Sequence, residues 1–146
     1  EMIRHESEYQ KATERLAEEK AMLEEQLSKL KEMDLSKAEI KRAMDPMRSF
    51  HEQLKEEVAS YERLCRGEFD ELTNFEGVGR LLVALRIAAG LTQRELAERL
   101  DVHVTAVSRD ERNEYHGITI ERASRVLSAI GATLHTTVEP LYQKSA

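Results

Sequence analysis

Five histidines and one cysteine are the side chains of this 146-residue chain best suited to hold a metal or attack a substrate, and their spacing supports neither role. His5, His51, His103, His116 and His135 show no metal-ligand pattern. His5-Glu6 and His51-Glu52 each begin the His-Glu-x-x-His pattern of a zinc-protease helix, but Tyr9 and Lys55 stand where the second histidine belongs. Cys65, the only cysteine, rules out an intrachain disulfide and a cysteine-based zinc cage, and it reads as a core residue on a helix face. Gly77-Val78-Gly79 is a fragment of a nucleotide loop that follows no strand, and no Gly-x-Ser-x-Gly elbow occurs. The expectation is a binding protein with no catalytic residue, no cofactor and no metal.

Composition sets the frame for such a protein. With 40% hydrophobic and 34% charged residues, two prolines, six glycines and 5% aromatics, the chain is expected to be mostly α-helical. It contains no apolar run near the roughly 18 residues of a membrane span, and its charged start is unlike a secretory signal, so a soluble, cytoplasmic protein is expected. The net charge of −6 opposes wholesale attraction to nucleic acid but leaves room for a local basic face. Residues 1–66 hold 13 Lys and Arg against 16 Asp and Glu, and residues 67–146 hold 9 against 12. Seven of the eight lysines precede Arg66, and beyond it the bases are arginines apart from Lys144. This shift places a boundary near Gly67, with an arm over residues 1–66, a connector over 67–77 and a second domain over 78–146.

In the arm, Met2, Tyr9, Leu16, Leu23 and Leu30 recur every seven residues, and Ala12, Leu27 and Met33 fill a second apolar position only in part. Glu19 and Lys20 interrupt that second position, so the seam needs a partner. Ser36-Lys37-Ala38-Glu39 reads as a capping box opening a second helix, and Asp45-Pro46 offers another start, since Pro46 should kink or interrupt a helix passing through it. Met47, Phe50, Leu54, Val58, Tyr61 and Cys65 then follow helical spacing up to Gly67. Two helices joined near Asp34 make an antiparallel hairpin, either a solvated coiled-coil arm that dimerises or extends the protein, or a docking arm for another protein. Phe69 and Phe75 of the connector are expected to pack the arm against the second domain.

A buried helix over residues 78–89 is stopped by Gly90, and Thr92 with Glu95 forms a second capping box for a short helix ending at Leu100. The stretch Gly90-Leu91-Thr92-Gln93-Arg94-Glu95-Leu96-Ala97-Glu98-Arg99-Leu100, followed by Asp101-Val102-His103-Val104-Thr105-Ala106-Val107-Ser108-Arg109-Asp110-Glu111-Arg112, resembles the helix-turn-helix domain of the phage Cro and C1 repressors, the XRE family. The resemblance runs over residues 79–131. Ala97 is small where two helices cross, Leu96, Val102 and Val107 are expected to be buried between helices, and residue 101 makes the turn. Asp101 replaces the usual glycine, and Asp tolerates a left-handed backbone better than most residues. His103 replaces the usual serine cap and so lacks its hydroxyl acceptor; it is free to face phosphate instead.

The resemblance implies binding to double-stranded operator DNA by a sequence-specific transcriptional regulator. By that resemblance Gln93 and the adjoining helix start, with Arg94, touch phosphate. The helix over residues 103–112 enters the major groove and exposes Val104, Thr105, Ser108 and Arg109. Val104 and the Thr105 methyl suit a thymine methyl; Arg109 suits either a guanine edge or a phosphate. Arg112, Asn113 and His116 lie in or beside the loop after that helix, which either meets phosphate or is plain surface. Asp110 and Glu114 would be repelled by DNA and should point elsewhere. Arg86 and Glu111 match a family pair that forms an internal salt bridge.

A last helix is expected over residues 119–130 with Ile120, Ala123, Val126, Leu127 and Ile130 inward, stopped by Gly131. Residues 133–138 alternate as one β-strand closed by Pro140. Pairing of that strand with its copy, through Leu134, Thr136 and Val138, would make a homodimer with two recognition helices one DNA turn apart. This arrangement resembles the antitoxin branch of the family, the HigA and HipB kind. The alternative function is thus an antitoxin that neutralises a toxin through the arm and represses its own operon.

Overall fold

The computed structural model describes residues 2–142 and contains six helices: α1 Glu6–Glu32, α2 Lys37–Cys65, α3 Val78–Ala88, α4 Gln93–Leu100, α5 Val104–Arg112 and α6 Ile120–Ile130. The first two form the antiparallel hairpin, and the turn between them carries Asp34 at φ +54°. Ser36 Oγ accepts from the Glu39 amide while Glu39 reaches back to the Ser36 amide, so the capping box opens α2. Ala12 and Leu30 of α1 meet Met44, Leu54, Val58 and Tyr61 of α2 in the buried seam. The interruption at Glu19 is covered from across the hairpin, where His51 Nδ1 lies 3.2 Å from the Glu19 carboxylate.

At the open end of the hairpin Tyr9 and Tyr61 stack with ring centroids 4.9 Å apart. Their hydroxyls cross over, Tyr9 donating to Glu62 at 2.8 Å and Tyr61 to Glu6 at 3.1 Å. Tyr9 has its phenol pKa raised first by the hydrogen bond to Glu62, and Tyr61 first by burial, so both phenols stay protonated donors.

Three expectations for this half are corrected. Helix α2 runs through Pro46 without a break. Pro46 and Arg42, whose carbonyl loses its i+4 partner there, are both exposed, so the unpaired carbonyl is not buried away from solvent. Cys65, the last residue of α2, is exposed and not in the core. Phe69 and Phe75 are exposed rather than buried between the two halves.

The junction is made instead by the start of the chain. Ile3 is buried in one core cluster with Leu54, Val58 and Tyr61 of α2 and with Leu82, Val83 and Ile87 of α3. Helices α3 to α6 close around Leu82, Val83, Leu96, Ala97, Val107 and Val126. Arg99 Nη1 adds a bond to the Ala129 carbonyl and ties α4 to α6. Val102, expected in this core, is 46% exposed. It follows the left-handed residue that reverses the chain, and Leu100, partly buried, packs on the core in its place. Ile120, in the first turn of α6, is likewise exposed.

The expected strand over residues 133–138 is not formed, and no strand longer than the isolated Thr73–Glu76 bridge occurs among the described residues. Residues 132–142 are extended or irregular, and Leu134, Thr136 and Val138 are exposed. Alternation alone does not make a strand: the ladder needs a second edge, and a single chain offers none here. Because Ile3 joins hairpin and helical core, Ile3→Ala should lower unfolding stability by about 2 kcal/mol in urea denaturation followed by circular dichroism. An unchanged midpoint would show that the start of the chain contributes nothing to the core.

Candidate nucleic-acid interface

Helix α4 starts at Thr92, whose Oγ1 accepts from the Glu95 amide at 3.0 Å while Glu95 Oε2 accepts from the Thr92 amide at 3.1 Å. It ends at Asp101, which adopts φ +55°, ψ +47°. The Val102 amide then bonds back to the Ala97 carbonyl at 3.0 Å. This is the left-handed helix stop that a glycine normally supplies, here made by aspartate. Leu96 and Val107 are buried on either side of Ala97, so α4 and α5 pack as a helix-turn-helix pair.

Helix α5 is capped by His103. Its Nδ1 accepts from the Thr105 amide at 3.2 Å and lies 2.9 Å from Thr105 Oγ1. A ring that accepts at Nδ1 carries its proton on Nε2. The imidazole therefore does the work of the absent serine hydroxyl, a substitution invisible to any rule that ranks caps by side-chain oxygen.

The expected contact residues separate into two groups. Arg94, His103, Thr105, Arg109, Arg112 and Asn113 are exposed, with Val104 and Ser108 half-buried between them on α5. Gln93 is placed differently: it is buried, and its Nε2 donates to Glu111 Oε1 at 3.0 Å. Its side chain belongs to an internal network, leaving the start of α4 to present backbone amides and Arg94.

That network centres on Arg86 and Glu111, both nearly inaccessible to solvent. Arg86 Nε donates to Glu111 Oε2 at 2.6 Å and Nη2 to Oε1 at 2.7 Å, a bidentate pair. Nη1 donates to the Leu91 carbonyl at 2.7 Å and Nη2 also reaches the Arg4 carbonyl at 3.0 Å. Sequence reasoning anticipates the pair but not the Arg4 carbonyl, which comes from 82 residues away.

The acids on and after α5 are neutralised away from its exposed face. Asp110 pairs with Arg122 of α6, and Glu114 with Arg80 of α3 at 3.1 Å. Glu111 is held by Arg86. Arg94, Arg109 and Arg112, by contrast, make no ion pair among the described residues, so an acidic protein carries one locally cationic face.

Behind that face, Glu114 and Tyr115 both take φ +52°. The Tyr115 amide bonds to the Asp110 carbonyl at 2.7 Å, and the ring is buried. Burial, with Glu111 and Asp110 nearby, raises the Tyr115 pKa and keeps its phenol neutral. Gly79 of α3 lies beneath: a Cβ there would sit 1.8 Å from the Glu114 carbonyl oxygen.

Residues 82–135 match the helix-turn-helix family profile. These residues form an XRE-family domain, the Cro and C1 repressor kind. The family is one of DNA-binding transcription regulators rather than enzymes, and its ligand is double-stranded DNA. The XRE match ends within the extended tail and leaves the hairpin outside it. No curated protein and no solved structure gives a significant match to the chain. No helix of the described residues is long and apolar enough to cross a membrane.

Three variants test these contacts. Arg86→Met should cost about 3–5 kcal/mol by leaving Glu111 charged and buried, whereas the double variant Arg86→Met with Glu111→Leu should recover much of that loss. Equal losses in the two proteins, measured by urea denaturation, would contradict a buried charge pair. Gly79→Ala, with no room for its methyl against backbone, should lower the thermal midpoint and disturb the loop over residues 113–117; an unaltered midpoint would refute that close contact.

Proposed function

We propose that the protein is a sequence-specific transcriptional repressor that binds a palindromic operator as a homodimer in the cytoplasm. The observation that carries the reading is the cationic face of α5, freed by internal pairing of Asp110, Glu111 and Glu114. In this reading α5 lies in the major groove, with Val104 and Thr105 against thymine methyls and Ser108 and Arg109 at base edges. Arg94, the amides at the start of α4, Arg112 and Asn113 hold the phosphates on either side. His103 turns its Nε2–H outward as a further phosphate donor.

The tail supports the dimer. Leu134, Val138, Leu141 and Tyr142 expose apolar surface on an extended segment whose backbone has no ladder partner among the described residues. Pairing with a second copy would satisfy both and space two recognition helices on one side of the duplex. The antitoxin alternative shares every step of this DNA reading and adds a protein partner at the arm.

Arg109→Ala and Thr105→Ala should each weaken binding to an operator selected from a random duplex library by about tenfold to a hundredfold, with relaxed preference at one base position. If neither variant changes affinity or preference, α5 is not the reading helix. For the dimer, Thr136→Pro should shift the protein towards monomer in sedimentation, since proline removes a ladder donor. An unchanged dimer would place the interface elsewhere.

A further inference from the structure

A groove of about 820 Å³ runs between α2, the connector and α3. Its apolar lining comes from Met2, Ile3, Leu64, Leu72, Leu81 and Ala84. Its charges are lopsided. Glu56, Glu57, Glu68, Asp70, Glu71 and Glu76 line it together with Glu114, against two cations, Arg63 and Arg80. Those two cations are already taken, Arg63 by Glu56 at 2.8 Å and Arg80 by Glu114 at 3.1 Å. Asp70, Glu71 and Glu76 make no ion pair among the described residues.

We propose that this groove docks a basic amphipathic helix of a partner protein. The apolar lining takes the helix's hydrophobic stripe and the carboxylates take its lysines or arginines, the arrangement that helix-in-groove recognition requires. The lining on α2 extends from Gln53 to Leu64, about 17 Å of helix axis, which matches three turns of a docked helix. An anionic partner meets repulsion along the whole rim. The chain's own tail does not fit the charge, since residues 132–146 carry one glutamate and one lysine. The groove ends at Glu114, one residue from Asn113, so its occupant sits beside the loop after the recognition helix.

The inference rests on the groove and not on operator binding. The test uses the full chain and a fluorescein-labelled synthetic peptide of about 14 residues, helical and built of leucine on one face and lysine on the other, with alanine between. Two controls are a scramble of the same composition and a version with glutamate for lysine. The amphipathic peptide should bind at least about tenfold tighter than the scramble in fluorescence anisotropy, and the glutamate version should not bind. Asp70→Lys with Glu71→Lys, and separately Leu72→Ser, should each weaken it by about tenfold or more, with helical content and operator affinity unchanged.

Equal binding of the scramble would overturn the proposal, leaving only diffuse charge attraction. Full displacement by millimolar spermine would overturn it in favour of a small polycation site. Unchanged affinity in both variants would put the peptide elsewhere on the molecule. Loss of a dimer on charge reversal would mean that a second copy of the chain fills the groove. The DNA reading of α5 is tested by Thr105→Ala and Arg109→Ala, neither of which lines the groove, so the two accounts fail separately.

Discussion

A single buried ion pair holds α5 in place. Arg86 comes from α3 and Glu111 from α5, and the carboxylate also takes a hydrogen bond from Gln93 at the start of α4. Three helices therefore converge on one carboxylate. The guanidinium has two further bonds, to the carbonyls of Leu91 and Arg4, so the loop before α4 and the start of the chain are fixed by the same group. A charge pair in a dry interior gains little over an apolar filling, but it is unforgiving of misplacement because an unmatched charge there is costly. That asymmetry suits α5 as the proposed reading helix, whose side chains need a fixed position to meet base edges.

The same internal pairing reconciles an acidic protein with a DNA-binding domain. Glu111 is neutralised inside by Arg86, and Asp110 is turned to Arg122. The unpaired charges left on α5 are Arg109 and Arg112, both exposed, while the unpaired carboxylates Asp70, Glu71 and Glu76 lie in the groove beside the connector. Net charge summed over the chain conceals this division; attraction to phosphate depends on the local face within about a Debye length of 8–10 Å.

The helices were legible because their determinants are local. Seven-residue recurrence, the two capping boxes at Ser36 and Thr92, and the glycine stops at Gly67, Gly90 and Gly131 act within one or two turns. The turn at Asp101 was legible for the same reason. What escaped depends on distant partners or on solvent. Ile3 and the Arg4 carbonyl are drawn into the core by residues about 80 positions away, which no window along the chain reports. Pro46 departs from expectation because an exposed helix tolerates a lost backbone bond that a buried one does not. The alternation of residues 133–138 suggested a strand, but a strand is a property of two segments and only one is present. In the interface, residue type and helical position foretold the exposure of Thr105 and Arg109, whereas Val104 and Ser108, expected exposed, are half-buried, and the inward turn of Gln93 required knowing where Glu111 would lie.

The most direct test of a locally cationic reading face on an acidic protein is the salt dependence of binding to a selected operator duplex. With Arg94 and Arg112 of each subunit meeting phosphate, the logarithm of the affinity should fall linearly with the logarithm of salt concentration, with a slope of about −4 for a dimer. A slope near zero would contradict the account, because it would mean that the guanidiniums left free around α5 release no counterions from DNA.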